Sequence, residues 1–160
     1  MQIPLEVIGL SKIYNNKDAV KDISFKVNKN EIIGILGPNG CGKTTTIGMI
    51  LGLLKPSNGK VLINGIEIEK KRVDLLNHLN FISPYIELPK KLTVKQNLEV
   101  YGRLYDVKNL KKKIEMLSEK LRLSEIINKL TGELSSGQKN RVSLAKSIIN
   151  NPTVLLLDEP

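Results

Sequence analysis

The sequence predicts an α/β fold, and three patterns along the chain carry that prediction. An apolar run at residues 32–36 leads into a glycine-rich loop and then into helically spaced apolar residues, which indicates a strand–loop–helix unit. A second apolar run, at residues 154–157, is typical of another buried strand and ends in two acidic residues. Residues 92–135 carry apolar positions three and four apart, so we expect an inserted helical subdomain there.

The N-terminal part of the chain is predicted to form an antiparallel β subdomain. Residues 3–10 and 23–27 have the composition of short strands, and residues 60–68 alternate around an Asn-Gly pair, which is a hairpin signal. Residues 79–82 are expected to form one more short strand. The run at 32–36 is different because it is apolar throughout, so we expect a strand buried on both faces.

The glycine-rich loop fits the pattern G-x-x-x-x-G-K followed by Ser or Thr, which binds phosphate groups. Its glycines let the backbone curl so that successive N–H groups point at one anion, and the next helix adds its positive N-terminus. Lys43 is predicted to reach the outer phosphates, and the Thr44 hydroxyl is predicted to hold Mg²⁺. The residues predicted to bind nucleotide here are Gly37, Pro38, Asn39, Gly40, Cys41, Gly42, Lys43, Thr44 and Thr45.

The central and C-terminal helices have recognisable starts. Apolar residues at helical spacing run from about residue 92 to 130, with Thr93 as a candidate N-cap. Leu134–Gln138 precedes a further amphipathic stretch, and either Ser135 or Ser136 can cap that helix.

Two carboxylates follow the strand predicted at 154–157. Asp158 and Glu159 stand at its C-terminal end, where ligands of parallel sheets collect. Beside a phosphate loop, Asp158 is predicted to bind Mg²⁺ together with Thr44. Glu159 is the candidate for polarising the water that attacks the γ-phosphate of a nucleoside triphosphate.

The segments GPNGCGKTT, LSSGQ and LLLDEP, in this order, resemble those of the ATPase subunits of ATP-binding cassette (ABC) transporters. The likeness runs from Val7 onward. In that family the second segment is LSGGQ, so Ser136 replaces a glycine. The resemblance implies a P-loop NTPase core, ATP and Mg²⁺ as cofactors, and one nucleotide-binding domain over residues 1–160 with a helical insert at roughly 92–135.

The resemblance also implies further site residues and partners. Ser135, Gly137 and Gln138 would contact the γ-phosphate of an ATP held by a second ABC ATPase subunit, in a dimer that sandwiches two ATP molecules. Tyr14 would stack on the adenine. A transmembrane permease subunit would hold the ATPase on the inner face of the cell membrane, and the resemblance of residues 92–107 to exporter ATPases favours an exporter.

Two departures from the family pattern affect these expectations. Pro84 stands where the family has a glutamine that touches Mg²⁺, so that contact is absent or comes from a neighbour such as Tyr85 or Glu87. The sequence ends at Pro160, directly after the second predicted core strand and before the family's later loop and histidine. We therefore expect a C-terminally truncated domain.

Composition limits the alternatives. A formal net charge of +9 is also typical of nucleic-acid-binding proteins, but the lysines are scattered and aromatic residues make up 4%, so no nucleic-acid partner is expected. No apolar run approaches the roughly eighteen residues of a membrane span, and the single Cys41 fits a reducing cytosol. Two other functions stay open: a soluble ABC protein acting on ribosomes or nucleic acid, and a non-hydrolysing nucleotide-binding fragment.

Overall fold

The computed structural model describes residues 2–83 and 87–158, and the backbone separates into two compact units, Met1–Leu79 and Asn80–Pro160. Pro84, Tyr85 and Glu159, which the sequence analysis singled out, lie outside the described residues. The first unit contains β1 (Leu5–Tyr14), β2 (Lys17–Val27), α1 (Lys43–Ile50), β3 (Asn58–Ile63), β4 (Ile66–Glu67) and α2 (Arg72–Leu76). The rest of the chain forms β5 (Leu79–Ile82), α3 (Val94–Leu104), α4 (Leu110–Lys120), α5 (Ser136–Ile148) and β6 (Val154–Leu157).

The first unit is built on a four-stranded antiparallel sheet in the order β2-β1-β3-β4. Its two tight hairpins each turn through two residues with positive φ, Asn15 and Asn16 at one turn and Asn64 and Gly65 at the other. These are residue types that tolerate the left-handed region that such turns require. The Asn-Gly hairpin and the antiparallel pairing were both predicted, whereas β1 and β2 are longer than expected and include the segment up to Tyr14.

The run at residues 32–36 is not the buried strand that the sequence predicts. Residues 31–38 form neither helix nor strand, and Ile32 and Leu36 are 98% and 93% exposed. A buried strand needs neighbours on both sides to pair its N–H and C=O groups, and an apolar pattern does not show which strands supply them. Here the four strands of this unit pair with one another, so the prediction was wrong for this segment.

The helical period predicted after residue 92 is confirmed by α3 and α4. Thr93 caps α3 through a reciprocal pair of hydrogen bonds: its hydroxyl accepts from the Gln96 N–H at 3.1 Å, and its own N–H donates to the Gln96 side chain at 2.8 Å. The fully buried centre of this unit includes Leu98, Leu117, Leu123, Val142 and Ile149. No helix among residues 2–83 and 87–158 is long and apolar enough to cross a bilayer.

A buried asparagine fixes β5 among the helices of the second unit. The Asn80 amide donates to the Ser147 carbonyl at 2.7 Å and to the Asn150 side chain at 2.6 Å, and its oxygen accepts from the Tyr105 hydroxyl at 2.9 Å. Burial, with a smaller contribution from Tyr101, raises the pKa of the Tyr105 phenol. β5 and β6 form a two-stranded sheet, so the hydrogen bonds of Asn80 also hold β5 in place beside β6.

Candidate functional site

Two glycines in the left-handed region shape the loop that precedes α1. Gly40 has φ of 83° and Gly42 has φ of 94°, values that residues with a Cβ adopt only under strain. Gly42 is the N-cap of α1, and a Cβ there would lie 2.3 Å from the Ala19 carbonyl oxygen. The backbone of β2 therefore passes directly against the end of the loop, and only glycine fits at this position.

The N-terminus of α1 is open to a ligand. Gly42 offers no capping side chain, and the first turn of α1 contains no acidic residue. The first N–H groups of a helix lack partners inside the helix and carry its partial positive charge. Thr44 is exposed at this end, and Lys43 and Thr45 are half-buried beside it. An anion is the ligand that this arrangement favours.

The Lys43 ammonium lies across the loop. It donates to the Gly37 carbonyl at 2.8 Å and to the Pro38 carbonyl at 3.0 Å, while the Cys41 N–H donates to the same Pro38 carbonyl at 3.2 Å. The loop backbone thus holds the cation close to the open end of α1. The third contact of the ammonium is to the Cys41 Sγ at 4.0 Å, and because sulfur is a weak acceptor, a phosphate oxygen can take that place.

Cys41 packs inside the same loop with an exposed thiol. A Cβ at Gly37 would lie 2.4 Å from the Cys41 Sγ, so the absence of a side chain at Gly37 makes room for the thiol. Pro38, Asn39 and Gly40 are exposed as well. The structure therefore brings all nine residues predicted to bind phosphates, from Gly37 to Thr45, into one loop and helix start.

We expect a maleimide to label Cys41 readily and to block nucleotide binding, because the adduct fills space beside the open end of α1. MgATP should protect the thiol, and Cys41→Ala should bind nucleotide normally while resisting the reagent. The measurement is labelling rate by mass spectrometry with and without saturating MgATP. Equal rates in both conditions would place the thiol away from the bound phosphates.

Tyr14 lies at the end of β1, in the same unit as the loop. Its side chain is 45% exposed, and the Lys12 ammonium lies 5.1 Å from the centroid of its ring. Sequence reasoning singled out Tyr14 but missed Lys12. The available signal was their spacing, because residues two apart on a strand project from the same face.

Ser135 and Gln138 are occupied in capping their own helix. The Ser135 hydroxyl accepts from the Gln138 N–H at 3.3 Å, and the Ser135 N–H donates to the Gln138 side chain at 2.9 Å. Of the two candidate caps, Ser135 is the one used. Gly137 is exposed, and a Cβ there would meet nothing within 4 Å. The first turn of α5 thus presents an accessible surface.

Asp158 directly follows β6, and its N–H donates to the Ile82 carbonyl at 2.9 Å. Within the described ranges, 2–83 and 87–158, no group of three or more His, Cys, Asp and Glu side chains could hold a metal. Mg²⁺ is normally bound through one or two protein oxygens together with substrate phosphates, so a single carboxylate such as that of Asp158 is a ligand of the type this ion takes.

Glu87 is a candidate to replace the glutamine that is missing at position 84. Its carboxylate pairs with the Lys90 ammonium at 2.8 Å. The hydrogen bond and the positive charge of Lys90 lower the pKa of the Glu87 carboxyl. Glu87 is therefore an ionised carboxylate that could serve as an oxygen ligand, but it already pairs with the Lys90 ammonium.

Comparison with known proteins places these features in one family. The family model described as ABC transporter (ABC_tran) matches residues 20–160. Nod factor export ATP-binding protein I of Rhizobium johnstonii is 38% identical over 161 residues, which cover 99% of this chain and 51% of that protein. SkfA peptide export ATP-binding protein SkfE of Bacillus subtilis is 38% identical over 163 residues, covering 98% of this chain and 65% of that protein.

Solved structures agree with this match. A structure described as the ATP binding subunit of an ABC transporter superposes with a TM-score of 0.88 at 27% identity, covering 98% of this chain and 66% of that one. The chain spans about half the length of the Nod factor relative. The α/β fold class predicted from the sequence is confirmed, and the chain belongs to the ABC transporter family as a nucleotide-binding domain of that family.

Proposed function

We propose that this chain binds and hydrolyses ATP to power an ABC transporter that exports its substrate. The observation that carries the proposal is the loop of residues 37–42, where two left-handed glycines, an open helix N-terminus and an ammonium held by loop carbonyls lie together. Each of these features favours a polyphosphate over an uncharged ligand. The export names of the two curated relatives support the direction of transport.

Hydrolysis of a nucleoside triphosphate requires positioned phosphates, a metal ion and one oriented water. In this proposal the loop N–H groups and Lys43 hold the phosphates, and Thr44 and Asp158 provide oxygen ligands to Mg²⁺, which would neutralise phosphate charge. Glu159 polarises the attacking water. Tyr14 stacks on the adenine through its exposed ring.

The proposed partners are a second ABC ATPase subunit and a transmembrane permease. The first turn of α5 supports the dimer because Ser136 and Gly137 are exposed there, and the N-terminus of a helix suits a phosphate oxygen presented by another subunit. The Ser135 hydroxyl and the Gln138 side chain hold that turn in shape, and we propose that this pre-organises the N–H groups for the contact.

Lys43→Ala tests the binding step. Removing the ammonium should weaken MgATP binding at least about tenfold, which corresponds to about 1.4 kcal/mol for a charge-assisted contact. Isothermal titration calorimetry measures the affinities of the two proteins. A suitable control is Lys29→Ala, which removes an equal charge from the exposed turn before the loop and should leave the affinity unchanged. Equal affinities for wild type and Lys43→Ala would refute the phosphate site.

A further inference from the structure

The end of β1 is fastened to the segment that follows α1. The Lys12 ammonium donates to the Lys55 carbonyl at 2.7 Å, and the Ile13 N–H donates to the Ser57 hydroxyl at 3.0 Å. The Ser57 N–H in turn donates to the Ser11 carbonyl at 2.8 Å. Three hydrogen bonds thus join β1, which carries Tyr14, to the segment after α1. The helix α1 begins at the phosphate loop, so the two parts of the proposed site are connected.

Lys12 contributes more to this junction than a hydrogen bond. Its ammonium, while bound to the Lys55 carbonyl, lies 5.1 Å from the centroid of the Tyr14 ring. A cation over an aromatic face is attracted to the ring quadrupole, so Lys12 holds that face of Tyr14. Tyr14 as a whole remains 45% exposed, which leaves surface for a stacking partner.

We propose that Lys12 is a positioning residue for the nucleotide base. It fixes the Tyr14 ring by one face, at a set place relative to the segment after α1, and keeps the other face available for a planar base. A ring that is already ordered loses less conformational freedom when a base stacks on it, so affinity rises without any contact between Lys12 and the nucleotide. This inference rests on the proposed function, in which Tyr14 stacks on adenine.

The test compares ATP with inorganic triphosphate, which has the phosphates but no base. Lys12→Met should weaken ATP binding about threefold, because cation–π support at exposed sites is modest, and it should leave triphosphate binding unchanged. Lys12→Arg keeps both the charge and a donor for the Lys55 carbonyl and should retain wild-type affinity. The matched control is Lys17→Met, which removes an exposed charge directly opposite Tyr14 in the hairpin and should change neither affinity.

A double-mutant cycle separates positioning from direct charge attraction. In a Tyr14→Ala background, Lys12→Met should have no further effect on ATP affinity, because the residue that it acts through is gone. An equal loss with and without Tyr14, or an equal loss for ATP and triphosphate, would overturn the inference. The inference would also be overturned if Lys12→Met left ATP affinity unchanged while Lys43→Ala weakened it. If Lys43→Ala also had no effect, the proposed phosphate site itself would fail.

Discussion

Gly42→Ala should lower the affinity for MgATP at least about a hundredfold, equivalent to about 2.7 kcal/mol. Two costs add at this position. Gly42 has φ of 94°, where a side chain is strained, and the new Cβ would lie 2.3 Å from the Ala19 carbonyl oxygen and 2.9 Å from the Val20 side chain. Because the nearest atom belongs to the backbone of β2, the contact cannot be relieved by a change of rotamer. The loop end must move, and with it the first N–H groups of α1.

Gly40→Ala is the control for backbone strain without steric overlap. Its φ is 83°, close to that of Gly42, but a Cβ there would meet nothing within 4 Å. The expected cost is therefore only that of the left-handed conformation, about 1 kcal/mol or about fivefold in affinity. Titration calorimetry gives the two affinities, and a thermal melt of each variant reports whether the unit stays folded. Equal losses for the two variants would show that contact with β2 does not determine the loop shape.

The features that sequence predicted well depend on residues close together in the chain. The loop motif places glycines where positive φ is needed, and the capping pairs at Thr93 and Ser135 each join residues three apart. Such patterns specify local geometry through the chemistry of a few neighbouring side chains. The Asn-Gly hairpin belongs to the same class, since turn type follows from the two residues at its centre.

The features that sequence missed depend on distant partners. The apolar run at 32–36 indicates a strand, but whether a strand forms depends on neighbours elsewhere in the chain, and Ile32 is almost fully exposed. The contact between Lys12 and the Lys55 carbonyl joins residues 43 positions apart, so no local sequence pattern predicts it. The spacing of Lys12 and Tyr14 is a local signal for their contact, but the anchoring of Lys12 on the Lys55 carbonyl became visible only in the structure.

Glu159→Gln should reduce phosphate release at least about a hundredfold while leaving ATP affinity within about twofold of wild type. The two side chains have the same size and shape, but the neutral amide accepts a proton far less readily than the carboxylate. The preceding residue is anchored, because the Asp158 N–H donates to the Ile82 carbonyl at 2.9 Å. We therefore expect the proposed metal ligand, Asp158, to keep its position when Glu159 is substituted, so that the effects on binding and on chemistry separate.

The comparison requires a form of the protein with measurable turnover, assayed for steady-state phosphate release at saturating MgATP and for ATP affinity by calorimetry. Glu133→Gln removes an exposed carboxylate from the same unit and should change neither quantity. Asp158→Asn should behave differently from Glu159→Gln, because loss of a metal ligand weakens MgATP binding as well as turnover. Phosphate release at the wild-type rate by Glu159→Gln would remove this carboxylate from the mechanism and leave the orientation of the attacking water to another group.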